Sequence, residues 1–133
     1  MKIDGRCHCG EIAYTAEVDP AGIRICHCSD CQQLSGSAFR AVIAAPAESF
    51  RLVTGSPSSY VKVAESGNRR RHVFCGTCGS PMFACAEVDP ASYTLRVGTI
   101  VQRDALSPYV QIWRRSALNW VDTIAAIPSV EKQ

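Results

Sequence analysis

The sequence predicts a mainly β fold, with antiparallel sheets packed as a sandwich or folded over one another and one or two short helices. Three observations point there. Short runs of alternating or β-branched residues recur along the chain, Gly, Pro, Asp and Ser separate them, and only two brief segments look helical. Strands this short and regularly spaced argue against an α/β fold.

The elements follow in order. Glu11–Val18 alternates polar and apolar residues and is the first predicted strand. Ser29–Leu34 reads as a short helix capped by Ser29 and stopped before Gly36. Phe39–Ala44 is apolar and β-branched, and Tyr60–Val63 alternates again. Thr54–Ser59 and Glu65–Asn68 carry the residues of turns. His72–Phe74, Pro81–Ala84, Tyr93–Val97 and Tyr109–Trp113 continue the strands, and Ser116–Trp120 is the second helical segment.

With 133 residues, the chain suits a single domain over residues 1–133, since two cores of ordinary size would not fit. There is no repeat, low-complexity tract or linker. Fourteen basic against 12 acidic residues leave a net charge of +2, which argues against a nucleic-acid partner chosen by bulk charge. Met1–Arg6 lacks the apolar stretch of a signal peptide, and no span is long enough for a bilayer, so no membrane partner is expected. The expected location is the reducing cytoplasm. There, closely spaced cysteines read as metal ligands or catalytic groups, with a disulfide framework as the alternative.

Seven of the eight cysteines fall into three clusters: Cys7-His8-Cys9-Gly10, Cys26-His27-Cys28-Ser29-Asp30-Cys31 and Cys75-Gly76-Thr77-Cys78-Gly79. The third has the form of a zinc knuckle, whose glycines permit a tight turn and let backbone N–H groups approach the sulfurs. A knuckle supplies half a site. Cys7 and Cys9 are a candidate second pair, because on a regular strand residues two apart point to one face. Cys26, Cys28 and Cys31 then remain as three thiolates with a position to spare. A closed four-ligand zinc site is usually structural, whereas three protein ligands leave room for water or substrate. All-thiolate donors favour zinc over magnesium or calcium, so two zinc ions per chain are expected. The bland alternative is one ribbon built from Cys28, Cys31, Cys75 and Cys78, with the other cysteines simply buried.

Other residues carry weaker signals. His8 and His27 read as solvated or supporting side chains rather than ligands. Cys85 reads as a small buried hydrophobe. Arg69-Arg70-Arg71-His72 is either a solvated strand end or an attractor for an anionic substrate, and Asp30 either caps the short helix or serves as a base. Trp113 and Trp120 are expected in the core.

The three clusters, in this order, resemble the glutathione-dependent formaldehyde-activating enzyme (GFA) family. The resemblance rests on Gly5-Arg6-Cys7-His8-Cys9-Gly10, Cys26 to Cys31 with Ser35-Gly36, Phe74 to Gly79, Gly98-Thr99 and Trp120. It implies a tent-like arrangement of sheets, a structural zinc on Cys7, Cys9, Cys75 and Cys78, and a catalytic zinc on Cys26, Cys28 and Cys31. The implied reaction joins glutathione and formaldehyde into S-hydroxymethylglutathione. Two positions depart from the family pattern: Ile100-Val101 follows Gly98-Thr99 where many members have Leu-Asp, and Gln111 stands where a histidine is common.

The leading expectation is thus an enzyme of carbon–sulfur lyase type acting on a small-molecule thiol such as glutathione and an aldehyde. A non-catalytic zinc module for protein interaction is the alternative, and it requires a middle site fully coordinated by the chain. A nucleic-acid-binding zinc ribbon would need a basic face with aromatic platforms, and is the weakest reading.

Overall fold

The computed structural model describes residues 1–64 and 66–132. Among them run ten strands and one α-helix: β1 (Lys2–Arg6), β2 (Ala13–Glu17), β3 (Ile23–Cys26), α1 (Ser29–Ser35), β4 (Arg40–Pro46), β5 (Arg51–Thr54), β6 (Ser58–Val63), β7 (Arg69–Phe74), β8 (Pro81–Ala86), β9 (Ser92–Arg96) and β10 (Pro108–Ile112). Short 3₁₀ turns fill several connections and the C-terminal segment.

The strands form two sheets, one of order β1-β2-β5 and one of order β10-β3-β4-β9-β8-β7-β6. The mainly β architecture with few short helices agrees with the sequence. All pairings are antiparallel except β10 with β3, which run parallel after the chain returns from β9 to the far edge.

The sheets meet through residues that alternate inward. Ile3 and Gly5 on β1 and Tyr14 and Ala16 on β2 are buried. On the large sheet Ile43, Leu95, Phe83 and Val73 stand in one row across β4, β9, β8 and β7. Tyr14, Phe50, Phe83 and Tyr93 join the two layers, with Phe50 stacked 4.0 Å from Tyr93 and Tyr14 edge-on to Phe83 at 6.2 Å. Such pairs add to the burial of their large apolar surfaces. Gly5 lies opposite Tyr14, and a Cβ there would sit 2.0 Å from the phenol ring. That contact explains why glycine occupies an otherwise ordinary strand position.

Several local expectations need correction. The cap of α1 is Cys28 rather than Ser29: its Sγ accepts from the Cys31 N–H at 3.3 Å, while left-handed Gly36 (φ 63°) ends the helix as expected. Strand β10 stops at Ile112 because Trp113 is left-handed, with φ 57°. Ser116–Trp120 is not one helix, since extended Ala117 and Leu118 separate two 3₁₀ segments. Trp113 and Trp120 are 52% and 55% exposed, so neither belongs to the core. Thr54, Ser58 and Ser59, read as turn, belong to β5 and β6. Of the turn read over Glu65–Asn68, Glu65 lies outside the described residues; the remainder closes the β6–β7 hairpin through Ala64 N–H to Asn68 O at 2.9 Å.

Candidate metal centres

The four-thiol cluster forms where two distant segments meet. Past β1 the chain makes a turn closed by Gly10 N–H to Cys7 O at 3.2 Å. Cys7 and Cys9 therefore converge through this turn, not along a strand as the two-residue spacing suggested. Opposite them, the Cys75–Gly79 knuckle joins β7 to β8, with Gly79 N–H donating to Cys75 O at 2.8 Å and Gly79 left-handed at φ 76°. The Sγ atoms of Cys7, Cys9, Cys75 and Cys78 all lie within 4.8 Å of one another. Two of the separations, 3.5 Å for Cys7–Cys9 and 3.7 Å for Cys9–Cys75, match the edge of about 3.8 Å that Zn–S bonds of about 2.3 Å give a tetrahedron.

Backbone and hydroxyl donors surround these sulfurs. Ile12 N–H donates to Cys7 Sγ at 3.2 Å, and Ser80 Oγ lies 3.2 Å from Cys78 Sγ while accepting from His8 N–H at 3.0 Å. Ser80 thus stitches the two halves together, and no sequence signal singled it out. Its hydroxyl, then its backbone N–H and that of Cys9, bring Cys78 down to about 5. Cys9 moves the opposite way, to about 12: the Glu11 N–H favours its thiolate, but Cys7, burial and the other two thiols outweigh that donor. Four thiols this close share negative charge only when a cation sits among them. The donor set fits zinc.

The three-thiol cluster is local. Cys26 ends β3, Cys28 caps α1, and Cys31 lies in the first turn of that helix, so one strand-to-helix corner brings their Sγ atoms within 4.8 Å. Among the described residues no fourth Cys, His, Asp or Glu joins them. Burial, followed by Cys26 and Cys28, pushes Cys31 up to about 12. Cys28 is lowered despite burial, because the Cys31 N–H and the thiols of Cys31 and Cys26 favour its thiolate. Here too a cation would relieve the competition. The geometry removes the single-ribbon alternative, since Cys75 and Cys78 group with Cys7 and Cys9 and not with Cys28 and Cys31.

The family model of the glutathione-dependent formaldehyde-activating enzymes matches residues 2–116, a span that holds both clusters. The chain belongs to the GFA family. Its fold resembles the crystal structure of a Rhodobacter sphaeroides protein, at TM-score 0.61 and 25% identity, over 79% of this chain and 97% of that one. No curated protein matches the chain significantly. Membership supports glutathione-dependent formaldehyde activation as the chemistry of the family, and both cysteine clusters are compatible with zinc. No helix among the described residues is long and apolar enough to cross a membrane.

The remaining candidates sort by position in this GFA fold. His27 is fully buried, and its Nε2 lies 2.8 Å from Gln111 Oε1 on β10, so this glutamine supports the strand that carries Cys26. His8 is exposed. Gln32 Nε2 donates to His27 O at 2.8 Å and to Ser116 O at 2.9 Å, fastening α1 to the strand end. Asp30 does not cap the helix but pairs with Lys62 of β6. Arg69 pairs with Glu87 at the surface, whereas His72 turns inward to Arg96. Cys85 is buried, as expected of a small hydrophobe. Val101 is half exposed and lines a surface pocket beside Cys7 and Cys9, away from the three-thiol corner.

Proposed function

We propose that this GFA-family protein is a zinc-dependent enzyme of carbon–sulfur lyase type that makes and breaks thiol–carbonyl adducts, with glutathione and formaldehyde as the first pair. One observation carries the reading: Cys26, Cys28 and Cys31 converge with no fourth protein donor among the described residues. In this reading they hold a catalytic zinc, while Cys7, Cys9, Cys75 and Cys78 hold a structural one. A zinc ion with an open position supplies Lewis acidity to a carbonyl or favours the thiolate of an incoming thiol.

The chain's own contribution is placement. The β3–α1 corner fixes three sulfurs, and the Gln32 and Gln111 bonds hold that corner against β10 and the segment after it. Asp30, paired with Lys62, lies in α1 between Cys28 and Cys31 and is, in this reading, the candidate base for the thiol proton. Addition forms one C–S bond, the carbonyl oxygen receives a proton in exchange for the one lost from sulfur, and no electrons enter or leave.

Exchange spectroscopy on glutathione with formaldehyde tests the reading. The zinc-loaded protein is expected to accelerate adduct exchange above the spontaneous rate, and Cys28→Ser to abolish that acceleration while the protein stays folded. Absence of acceleration, together with no thiol binding to the metal, would return the chain to a non-catalytic zinc module.

A further inference from the structure

The large sheet has a second face, turned from the aromatic core, and its register gathers cations there. Cys26 lies opposite Arg40, Val42 opposite Arg96, Thr94 opposite Ala84, and Ala84 opposite His72. Residues paired directly, or two apart on one strand, share a face. Cys26, Arg40, Arg96 and His72 therefore project on one side, with Tyr60 and Lys62 following on β6. Helix α1 approaches this side through the Asp30–Lys62 pair. Leu34, Arg40, Tyr60, His72 and Arg96 line a pocket of about 220 Å³ there.

Arg40 and Arg96 are only 5% and 7% exposed, and the Nε of each is buried without a partner among the described residues. Buried charge is costly unless matched. Among the described residues the ion pairs are Lys62–Asp30, Arg69–Glu87 and Arg114–Asp122, so neither buried guanidinium has a carboxylate. Arg96 donates instead to Nδ1 of His72 at 3.2 Å. Burial and then Arg40 bring Arg96 down to about 9, and burial followed by Arg96 and Arg40 keeps His72 neutral to about pH 4.

The charges near the cluster do not cancel. Three thiolates around a divalent cation leave one negative charge, against two from Arg40 and Arg96, while Asp30 offsets Lys62 and His72 is neutral. Arg70, which donates to Thr94 Oγ1 at 3.3 Å, is exposed and its charge is screened by solvent, so the surplus inside is one. A carboxylate, with its single charge and its match to the guanidinium fork, fits better than a phosphate ester carrying about two charges.

We propose that Arg40 and Arg96 receive the carboxylate of an acid substrate whose reacting sulfur or carbonyl carbon lies at Cys26, Cys28 and Cys31. This rests on the thiol–carbonyl reading above and moves its substrate class from glutathione and formaldehyde to small acids. Cys26 and Arg40 are cross-strand neighbours, with Cβ atoms about 5 Å apart. The class is therefore small acids that carry the carboxylate and the thiol or carbonyl in one molecule, namely mercapto acids or 2-oxo acids.

Calorimetry on the zinc-loaded full chain tests the proposal with two matched pairs, thioglycolate against 2-mercaptoethanol and pyruvate against acetone. At least one acid is expected to bind more than about tenfold tighter than its neutral partner and to shift the His72 imidazole resonances. Arg96→Gln or Arg40→Gln should erase that advantage with metal content unchanged. The thioglycolate arm alone places the carboxylate on the thiol; the pyruvate arm alone places it on the carbonyl compound. Equal binding of acid and neutral analogue overturns the proposal, even if a variant does not fold, as does an advantage that survives both substitutions. Tight acid binding without accelerated glutathione–formaldehyde exchange would sink glutathione and formaldehyde as the pair and leave the carboxylate pocket standing. Accelerated exchange without acid preference would do the reverse.

Discussion

The four-thiol cluster joins segments far apart in the chain, with Cys9 meeting Cys75 across 66 residues, whereas the three-thiol cluster is built from one strand-to-helix corner. A cation in the first therefore closes a long loop and clamps the Cys7–Gly10 turn to the β7–β8 knuckle, which couples metal binding to folding. A cation in the second closes almost nothing. Its corner is already held by Gln111, Gln32 and the Asp30–Lys62 pair, so its binding energy is free to serve a ligand. Similar donors thus do different work because of where the chain brings them from.

The largest expected effect breaks that contrast at the clamp. Cys75→Ser should cost at least about 4 kcal/mol of stability, with loss of a metal ion, whereas Cys28→Ser should leave the melting temperature within a few degrees of the parent. Thermal melts with parallel metal analysis check both, and equal destabilisation would erase the distinction. Next is Gly5→Ala, whose new Cβ would meet the Tyr14 ring at 2.0 Å. An overpacking loss of about 1–3 kcal/mol is expected in urea unfolding, confined to stability rather than chemistry.

How much of this contrast was legible in the sequence follows from which interactions are local. The three-thiol corner was readable because its ligands lie on one short stretch that ends in a glycine cap. The knuckle was readable for the same reason. Its pairing with Cys7 and Cys9 was also expected, but the local geometry was not, since a turn rather than a strand aligns those thiols. Strands β1, β3 and β5 gave little signal: Lys2–Arg6 contains Gly5 and three charges, Ile23–Cys26 is interrupted by Arg24, and Arg51–Thr54 is an exposed edge. Of the basic face, only the Arg69–His72 run was legible. Arg40, His72 and Arg96 are far apart in sequence, and only sheet register puts them on one side. Both tryptophans were misplaced because the C-terminal segment leaves them on the surface.

Smaller effects sharpen the description of the three-thiol side. Gln111→Ala removes the partner of a fully buried His27 whose Nδ1 has none among the described residues, and should cost about 1–3 kcal/mol while weakening retention of the metal nearest α1. Chelator-release kinetics would show a faster departure for one ion only. His72 offers the mildest test. Its folded value of about 4 lies below its ordinary 6.5, so the unfolded chain binds more protons between these values. Its contribution to stability is complete above pH 6.5 and is lost as pH falls towards 4. Urea midpoints of His72→Gln should fall less steeply than the parent's across that window, and identical slopes would count against a neutral, inward-facing imidazole.

The division of labour is tested most directly by cadmium-113 NMR of the fully substituted protein titrated with a thiol. Two resonances are expected, of which one shifts on thiol binding and vanishes in Cys28→Ser, while the other stays fixed. A single resonance, or two that both ignore the thiol, would contradict it.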